Sequence, residues 1–456
     1  MILSVKRGQR VTLQIEELTT KGDGLAREGG VEIVVRGTVP GDCVEAVVGR
    51  KRRGRLEARV QEVLHVRLSR KEPFCGHFGT CGGCRWQDFS YSDQLRLKEE
   101  MVRRSLAARD IVPGEFRPVL ASPSPLYYRN KMEFSFGRDA VGGDLQIGLH
   151  VRERYNLVFD LEACYLQSEA SNRIVDSVRR QAVASGLSVY DLKTHEGLLR
   201  FLVVRESKVG GGGVMINLVV SQYPHEGIDE LVHVVTGEVP EISTFVVTLH
   251  TGKAQVALGE GEYILKGEGH IVEECGGLKF QISPRSFFQT NTEQAENLYR
   301  LIRDLAGDTR ETDVLDLYCG TGGIGLHLAR ESRSVVGIEQ TVEAVEDARL
   351  NAQNNAIENC TFISGKIEDV LSAVWVQGKR FDLVVVDPPR PGIHKKVLSA
   401  LSDLAPAEII YVSCNAESLA DDVSELLLAG YRMSVVQPVD LFPQTPHCEV
   451  VAVLER

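Results

Sequence analysis

The sequence contains no uninterrupted apolar run long enough to cross a bilayer. Its first residues, MILSVKRGQRV, also lack the apolar core that a secretory signal peptide requires. We therefore expect a cytoplasmic protein that makes no membrane contact. Internal repeats and low-complexity tracts are absent as well, which argues against a solenoid and against a largely disordered chain.

An excess of positive charge is also missing, because the 456 residues carry a formal net charge of −11. Taken as a single number, this charge argues against nucleic-acid binding. Its distribution is uneven, since residues 1–110 contain 21 Lys and Arg against 15 Asp and Glu, which leaves −17 for the remainder. The densest basic cluster is GRKRRGR, from Gly49 to Arg55. Such runs often form solvated turns, and contact with phosphate groups is the alternative.

Disulfides are not expected, although the chain has ten cysteines, because a chain without an export signal stays in a reducing compartment. Cysteines there more often bind metal or react. Cys75, Cys81 and Cys84 have the spacing C-x5-C-x2-C, which indicates a metal site once a distant fourth thiolate is added. Thiolate sites suit zinc and iron–sulfur clusters alike, so the spacing leaves the metal open.

The strand and helix signals divide the chain into three regions, and its length is sufficient for two or three domains. Short strands separated by glycine turns predict a small OB-type β-barrel in residues 1–68. Mixed helix and strand signals predict a central α+β domain in residues 69–276. Alternating strands and helices predict a doubly wound, Rossmann-like parallel sheet in residues 277–456, so the fold class is α/β.

A buried strand, a glycine-rich loop and the start of a helix follow one another in DVLDLYCGTGGIGLHLARES. The loop Gly320–Gly325 fits G-x-G-x-x-G, and the next strand ends at Glu339, which can accept hydrogen bonds from ribose hydroxyls. A dinucleotide and S-adenosylmethionine both suit this pattern. Two features favour S-adenosylmethionine. Asp316 lies where methyltransferases commonly have an acid that meets their cationic ligand, and a later strand ends in Asp387-Pro388-Pro389, which resembles the motif with which many methyltransferases face their target base.

Cys414 lies where the apolar strand of AEIIYVSCNAESLADD gives way to a helix. Open α/β sheets bind their ligands at such carboxyl ends of strands. A thiolate there can add to C6 of a uracil and raise the electron density at C5, which makes methyl transfer to carbon feasible. An ordinary thiol is mostly protonated at neutral pH, so we expect the site to lower the pKa of Cys414. An inert packing role is the alternative on position alone.

The same chemistry requires a base that removes the C5 proton after methyl transfer. The candidate is Glu449 in VDLFPQTPHCEVVAVLER, at the start of an apolar terminal strand. A glutamate in that place is often a solvated edge residue. Here it follows Pro443, Pro446 and His447, which constrain the backbone that leads into the strand.

Two separated motifs resemble the signatures of the RNA (uracil-5-)-methyltransferases. One is DPPRPG followed after sixteen residues by IIYVSCN, and the other is DLFPQTPHCE. Ser418 and Cys448 depart from the usual pattern without changing a reacting group. The resemblance implies methylation of C5 of a uridine in RNA, with Cys414 as the nucleophile and Glu449 as the proton acceptor. The residues that it implies for binding S-adenosylmethionine are Gln289, Tyr318, Gly323, Glu339, Lys366 and Asp387.

The resemblance also covers the front of the chain. The N-terminal barrel resembles a TRAM domain, an RNA-binding module, and the segment Arg129–Lys131 resembles a basic segment near the target nucleotide. Members with both barrel and cluster act on large-subunit ribosomal RNA, so the resemblance implies 23S ribosomal RNA as the partner. It further implies a 4Fe-4S cluster rather than zinc, with the ligands Cys75, Cys81, Cys84 and Cys164.

Other functions remain open from the sequence. The transfer RNA T-loop is the alternative target, although family members that act on it commonly lack the barrel and the cluster. A cytosine-C5 RNA methyltransferase also uses a cysteine adduct, but it usually carries a second cysteine where this chain has DPPR. A non-catalytic RNA-binding iron–sulfur protein and a nicotinamide oxidoreductase are the alternatives from other classes. We expect a monomer without a stable protein partner.

Overall fold

Six short strands at the front of the chain form one sheet in the computed structural model, which describes residues 5–52, 54–139, 143–208, 211–376 and 380–456. They are β1 (Arg10–Gln14), β2 (Glu17–Leu18), β3 (Gly24–Glu28), β4 (Val31–Val35), β5 (Cys43–Arg52) and β6 (Arg55–His65). In the order β1-β5-β6-β4-β3-β2, the two ends of the sheet are consecutive in the chain. Leu13, Ile33 and Val44 are buried in its core. Its identification as a TRAM module stays a prediction.

The basic cluster Gly49–Arg55 lies at the turn between β5 and β6, and its Arg53 lies outside the described residues. Arg50 and Arg52 are each 3.7 Å from the carboxylate of Glu57. Both arginines are solvent-exposed, and exposed ion pairs contribute little stability. Arg52 also pairs with Glu153 at 3.1 Å, so Arg50 is the less constrained of the two arginines for contact with a phosphate group.

The middle of the chain forms a second sheet with two helices. After α1 (Tyr91–Ala107) and β7 (Glu115–Phe116), its elements are β8 (Lys131–Arg138), β9 (Leu145–Gly148), β10 (His150–Val151), β11 (Arg154–Val158), α2 (Glu169–Ala184), β12 (Leu199–Glu206), β13 (Val214–Val220), α3 (Glu226–Glu238), β14 (Ile242–Leu249) and β15 (Gly261–Lys266). The sheet has the order β15-β14-β13-β12-β8-β9, and β10 and β11 form a separate ribbon. Ile174 of α2 and Leu231 of α3 are fully buried in the core of this sheet.

The C-terminal part forms a two-stranded hairpin of β16 and β17 and, together with β7, an eight-stranded sheet flanked by helices. Its elements are β16 (Ile271–Cys275), β17 (Leu278–Ile282), α4 (Thr292–Ala306), β18 (Asp313–Leu317), α5 (Gly323–Ala329), β19 (Ser334–Glu339), α6 (Val342–Asn354), β20 (Cys360–Ser364), α7 (Ile367–Val376), β21 (Leu383–Val386), α8 (Lys395–Leu404), β22 (Glu408–Ser413), α9 (Ala416–Leu428), β23 (Arg432–Val439) and β24 (Glu449–Glu455). The order is β20-β19-β18-β21-β22-β24-β23-β7. Strands β18 to β22 are parallel, and β24 is antiparallel to β22.

This sheet confirms the α/β, Rossmann-like fold that the alternating strands and helices predict. Strands with helices on both faces read as continuous apolar runs, and all four residues of β21 are buried. The β16–β17 hairpin turns at Gly276 and Gly277, which both have positive φ, and its Phe280 packs in the core of the C-terminal sheet. No described helix combines the length and the apolar composition that a bilayer span requires.

Residues from the front of the chain complete this C-terminal sheet. The helix α1 begins after Ser90, whose hydroxyl accepts a hydrogen bond from the Asp93 amide, and it packs against α9. Val102 and Leu106 of α1 are buried in the same core as the strands of the sheet. The strand β7 pairs in parallel with β23. The C-terminal sheet thus includes residues that precede the central sheet in the chain.

Candidate active site

A cavity of about 1240 Å³ opens where β18, β19, β21 and β22 end. Doubly wound sheets bind ligands at this edge. Lys366 does not line the cavity, although its neighbours Ile367 and Glu368 do. The predicted site residues that line it are Gln289, Tyr318, Gly323, Glu339, Asp387, Cys414 and Glu449.

The glycine-rich loop follows β18 with a backbone that leaves room for a ligand. Tyr318 and Gly320 have φ values of 63° and 53°, in the left-handed region. A Cβ atom at Gly323 would lie 2.7 Å from the hydroxyl oxygen of Tyr299, so a side chain there requires movement of its neighbour. The Gly320 amide donates to a carboxylate oxygen of Glu339 at 3.3 Å, which places the acidic residue beside the loop.

The cavity lining contains a buried carboxyl group without a partner. Asp316 is 0% exposed, and neither carboxylate oxygen has a hydrogen-bond partner among the residues that the structure describes. Burial, followed by the negative charge of Asp387, raises the pKa of Asp316 to about 8. A cationic ligand in the cavity would offset both effects. The lining therefore fits a donor with a positively charged sulfur, such as S-adenosylmethionine.

The pairing of β22 with β24 brings Cys414 and Glu449 together. In this antiparallel pair Ser413 lies opposite Val450. Cys414 follows Ser413 and Glu449 precedes Val450, so these two residues continue the register at the edge of the cavity. The two residues are 35 positions apart in the chain. Their proximity agrees with the negative charge of Glu449 acting on the thiol of Cys414.

The loop that carries Asp387 is attached to the helix that follows Cys414. The side chains of Asn415 and Ser418 both donate to the carbonyl oxygen of Arg390, each at 3.2 Å. The Ile393 amide donates to a carboxylate oxygen of Asp422 at 2.7 Å. These bonds fix the DPPRPG segment relative to the start of α9. Ser418 therefore performs a structural task at a position where the sequence departs from the family pattern.

The structure contradicts the expected lowering of the Cys414 pKa. Burial, followed by the negative charges of Glu449 and Asp387, raises the pKa of Cys414 to about 11, and the positive charge of Arg390 offsets only part of this. In these surroundings the thiol of Cys414 is therefore mostly protonated at neutral pH. The expectation was wrong because residues far away in the sequence place two carboxyl groups beside the thiol.

Besides Asp316, two further acidic groups of the cavity have pKa values close to neutral pH. Burial, followed by the negative charge of Asp387, raises the pKa of Glu449 to about 8. Burial raises the pKa of Asp387 to about 7. A base with a pKa near the working pH is suited to accept and release a proton.

The segment that carries Gln289 is held by residues from the central sheet. The Asn130 side chain donates to the carbonyl oxygen of Gln289 and to the Thr292 hydroxyl, both at 2.8 Å. Burial, followed by the positive charge of Arg205, lowers the pKa of Lys131 to about 8. The segment Arg129–Lys131, predicted to lie near the target nucleotide, thus contacts a segment that lines the cavity.

The cavity residues that sequence reasoning missed include two exposed apolar ones. Leu258 belongs to the loop between β14 and β15, and Phe287 precedes Gln289 by two positions; both line the cavity and are more than half exposed. The SFFQTN context pointed to the neighbourhood of Phe287. Leu258 had no such signal, because its loop reaches the cavity only through the packing of the central sheet.

The predicted metal site is not supported by the structure. Cys75, Cys81, Cys84 and Cys164 are free thiols, and burial, followed by the charges of the other three, raises the pKa of Cys84 to about 12. The four cysteines therefore lie near one another. Within the described residues, however, no group of three or more His, Cys, Asp or Glu side chains is arranged to hold a metal ion.

Residues 271–456 match the family model described as tRNA (uracil-5-)-methyltransferase. An RNA methyltransferase of Chlorobaculum tepidum is 40% identical over 445 residues, which cover 94% of this chain and 92% of the relative. One of Caldanaerobacter subterraneus subsp. tengcongensis is 38% identical, with 99% of each chain covered. Both relatives are described as uncharacterized.

Among solved structures, the tRNA (uracil-54, C5)-methyltransferase of Pyrococcus abyssi, in complex with S-adenosyl-L-homocysteine, is 28% identical with a TM-score of 0.75. The alignment covers 97% of this chain and 100% of that one. The similarity therefore extends over all three sheets and not only over the C-terminal part. With these relatives and this cavity, the chain belongs to the tRNA (uracil-5-)-methyltransferase family and is an S-adenosylmethionine-dependent RNA methyltransferase of the uracil-5 type.

Proposed function

We propose that the protein methylates C5 of a specific uridine through a covalent adduct on Cys414. The observation that carries the proposal is the convergence of Cys414 and Glu449 at the ends of two paired strands, in the cavity that contains the glycine-rich loop. When bound, S-adenosylmethionine supplies a methyl group on a cationic sulfur, and that charge also favours the thiolate of Cys414.

The reaction then uses two side chains in turn. The Cys414 thiolate bonds to C6 of the uracil, and the electrons of the C5=C6 double bond form an enolate. C5 accepts the methyl group, and the donor is left as a neutral thioether. Glu449 takes the proton from C5, the double bond forms again, and the C6–S bond breaks to return the thiolate. Gln289, Tyr318, Gly323, Glu339 and Asp387 are the proposed donor contacts.

The adduct can be tested with RNA that contains 5-fluorouridine, because fluorine at C5 cannot leave as a proton. We expect the enzyme, S-adenosylmethionine and this RNA to form a complex that survives denaturing electrophoresis and whose cross-linked peptide contains Cys414. Cys414→Ala should form no such complex, whereas Cys360→Ser, a substitution in β20 away from the cavity, should still form it. A stable complex with Cys414→Ala would contradict the proposal.

We propose 23S ribosomal RNA as the substrate. The support is the family resemblance of the front of the chain and the basic character of residues 1–110. Transfer RNA is a second candidate, supported by the similarity to the Pyrococcus abyssi enzyme, which is described as a tRNA methyltransferase. Mapping 5-methyluridine in both RNAs, with and without the gene, distinguishes them. Loss of the modification from transfer RNA alone would contradict the ribosomal proposal.

We also propose that Cys75, Cys81, Cys84 and Cys164 bind a 4Fe-4S cluster that is structural or contacts RNA. The support is the family resemblance and the proximity of the four thiols. The reaction itself needs no electron transfer. Iron and sulfide analysis of anaerobically purified protein tests this proposal, with about four of each expected per chain. One zinc ion per chain, or no metal, would contradict it.

A further inference from the structure

The loop Asp440–Cys448 connects β23 to β24 and leads directly into Glu449. It contains Pro443, and its Gln444 has a φ of 69°, a left-handed conformation that a residue other than glycine adopts only when its surroundings hold it there. The carboxyl group of Glu449 is buried, and no hydrogen bond to it is found within the described part of the chain. The location of Glu449 therefore depends on its backbone, which is held by the pairing of β24 with β22 and β23 and by this loop.

A lysine from α1 holds the start of the loop. The Lys98 ammonium group forms an ion pair with Asp440, and both side chains are 0% exposed. It also donates to the carbonyl oxygen of Phe442 at 3.0 Å. The Tyr91 hydroxyl donates to the second carboxylate oxygen of Asp440 at 2.9 Å. Removal of one partner of a buried ion pair leaves the other charge uncompensated, so the start of the loop depends on Lys98.

A glutamine one helical turn before Lys98 holds the centre of the loop. The Gln444 amide donates to the side-chain oxygen of Gln94 at 2.9 Å, and the Gln94 side-chain nitrogen donates to the side-chain oxygen of Gln444 at 3.0 Å. The amides of Arg85 and Trp86 donate to the Gln444 carbonyl oxygen at 2.9 and 3.2 Å. Each of these partners precedes residue 100, far from the residues 271–456 that match the family model.

We propose that Lys98 and Gln94 are positioning residues for proton removal by Glu449, an inference that rests on the proposed function. Both act through the loop, since the pKa of Glu449 is shifted by burial and by Asp387 rather than by Lys98. Cys414 directly follows β22, whereas the loop leads into Glu449 at the start of β24. The two steps of the reaction are thus supported by different parts of the chain.

This separation predicts which step fails. In Lys98→Met, Cys414 still adds to C6 and C5 still accepts the methyl group, but Glu449 is displaced from the C5 proton. The covalent methylated RNA adduct should therefore accumulate. The probes are in vitro transcripts of 23S ribosomal RNA and of transfer RNA, each carrying tritium at C5 of uridine, with S-adenosylmethionine labelled with carbon-14 in the methyl group.

We expect Lys98→Met to release tritium at least about tenfold more slowly than the unaltered enzyme in a single turnover, a loss within the range of a general base. Incorporation of carbon-14 should change by less than about threefold, and the label should remain with the protein on denaturing gels. Gln94→Leu should show the same pattern, and it is read in the same assay if Lys98→Met does not fold. Lys98→Arg, which keeps the charge, should restore part of the tritium release.

Arg96→Met is the matched control, because Arg96 lies on the same helix, its side chain is mostly exposed, and its ion pair within the described residues is with Asp93. It should release tritium at the unaltered rate. Equal loss of both labels in Lys98→Met and Gln94→Leu, or no change in either label, would overturn the inference. Methyl incorporation by Cys414→Ser at the unaltered rate would contradict the proposed function and not only this inference. The two failures can therefore be distinguished.

Discussion

Two places in the chain were predicted to use thiols: Cys414 as a nucleophile, and the group Cys75, Cys81, Cys84 and Cys164 as metal ligands. The pKa values of Cys414 and of Cys84 are both raised, so a low thiol pKa identifies neither place. They differ in their surroundings. Cys414 faces a large cavity together with two carboxyl groups, whereas the four cysteines lie mainly beside one another. The comparison shows that the groups beside a thiol, and not the pKa of the thiol itself, indicate what the thiol can do.

The largest expected effect separates the two thiol sites directly. Cys414→Ser should reduce methyl transfer by on the order of 10⁴-fold or more, the scale seen when a covalent nucleophile is removed. Cys84→Ser should lower the free energy of unfolding by about 1–3 kcal/mol while the rate per folded enzyme changes far less. Methyl transfer to RNA and urea unfolding measure both quantities. Equal losses of rate in the two variants would remove the distinction.

The second effect concerns the base. Glu449→Gln keeps the shape of the side chain but cannot accept a proton, so turnover should fall by about 10²–10⁴-fold. A first methyl transfer should still occur, and the methylated RNA should stay bound to Cys414. Denaturing electrophoresis with labelled donor detects this adduct. Turnover at the unaltered rate would show that another group removes the proton.

A smaller effect follows from the pKa of Cys414. The pKa of Cys414 is raised to about 11. In enzyme without added donor or RNA, the fraction of Cys414 present as thiolate should therefore increase about tenfold per pH unit up to about pH 11. The rate of alkylation by iodoacetamide should increase with it. Above about pH 8 the ionised Glu449 opposes the thiolate. Glu449→Gln should therefore speed alkylation of Cys414 at pH 9.5 by roughly three- to tenfold. Mass spectrometry of the Cys414 peptide measures this rate, and slower alkylation in the variant would contradict the assigned cause.

The smallest effect is expected at Lys366. This residue does not line the cavity, so Lys366→Ala should change the dissociation constant of S-adenosylmethionine by less than about twofold, as at an ordinary surface position. Gln289→Ala, which removes a side chain of the lining, should weaken binding by about tenfold, the loss of one hydrogen bond to a charged group. Calorimetric titration of both variants measures the difference. A larger loss for Lys366→Ala would restore it as a donor contact.

The sequence predicts most of the C-terminal half because its signals are local. Apolar runs with glycine loops mark the strands that end at the cavity, and motif order places Cys414 and Glu449 in one site. Contacts across the chain were not predictable. Lys98 looks like a surface charge of an amphipathic helix, yet its partner Asp440 is 342 positions away. The two-residue strand β7 is too short for any periodic signal.

The addition of β7 to β23 limits how the gene can be divided. A fragment that begins at residue 277 would leave the outer edge of β23 without its partner and the apolar side of α9 without α1. Uncovered strand edges promote association between chains. Chimaeras that exchange RNA-recognition modules between relatives should therefore join the parts ahead of Tyr91 and carry the helix and the short strand along with the catalytic half.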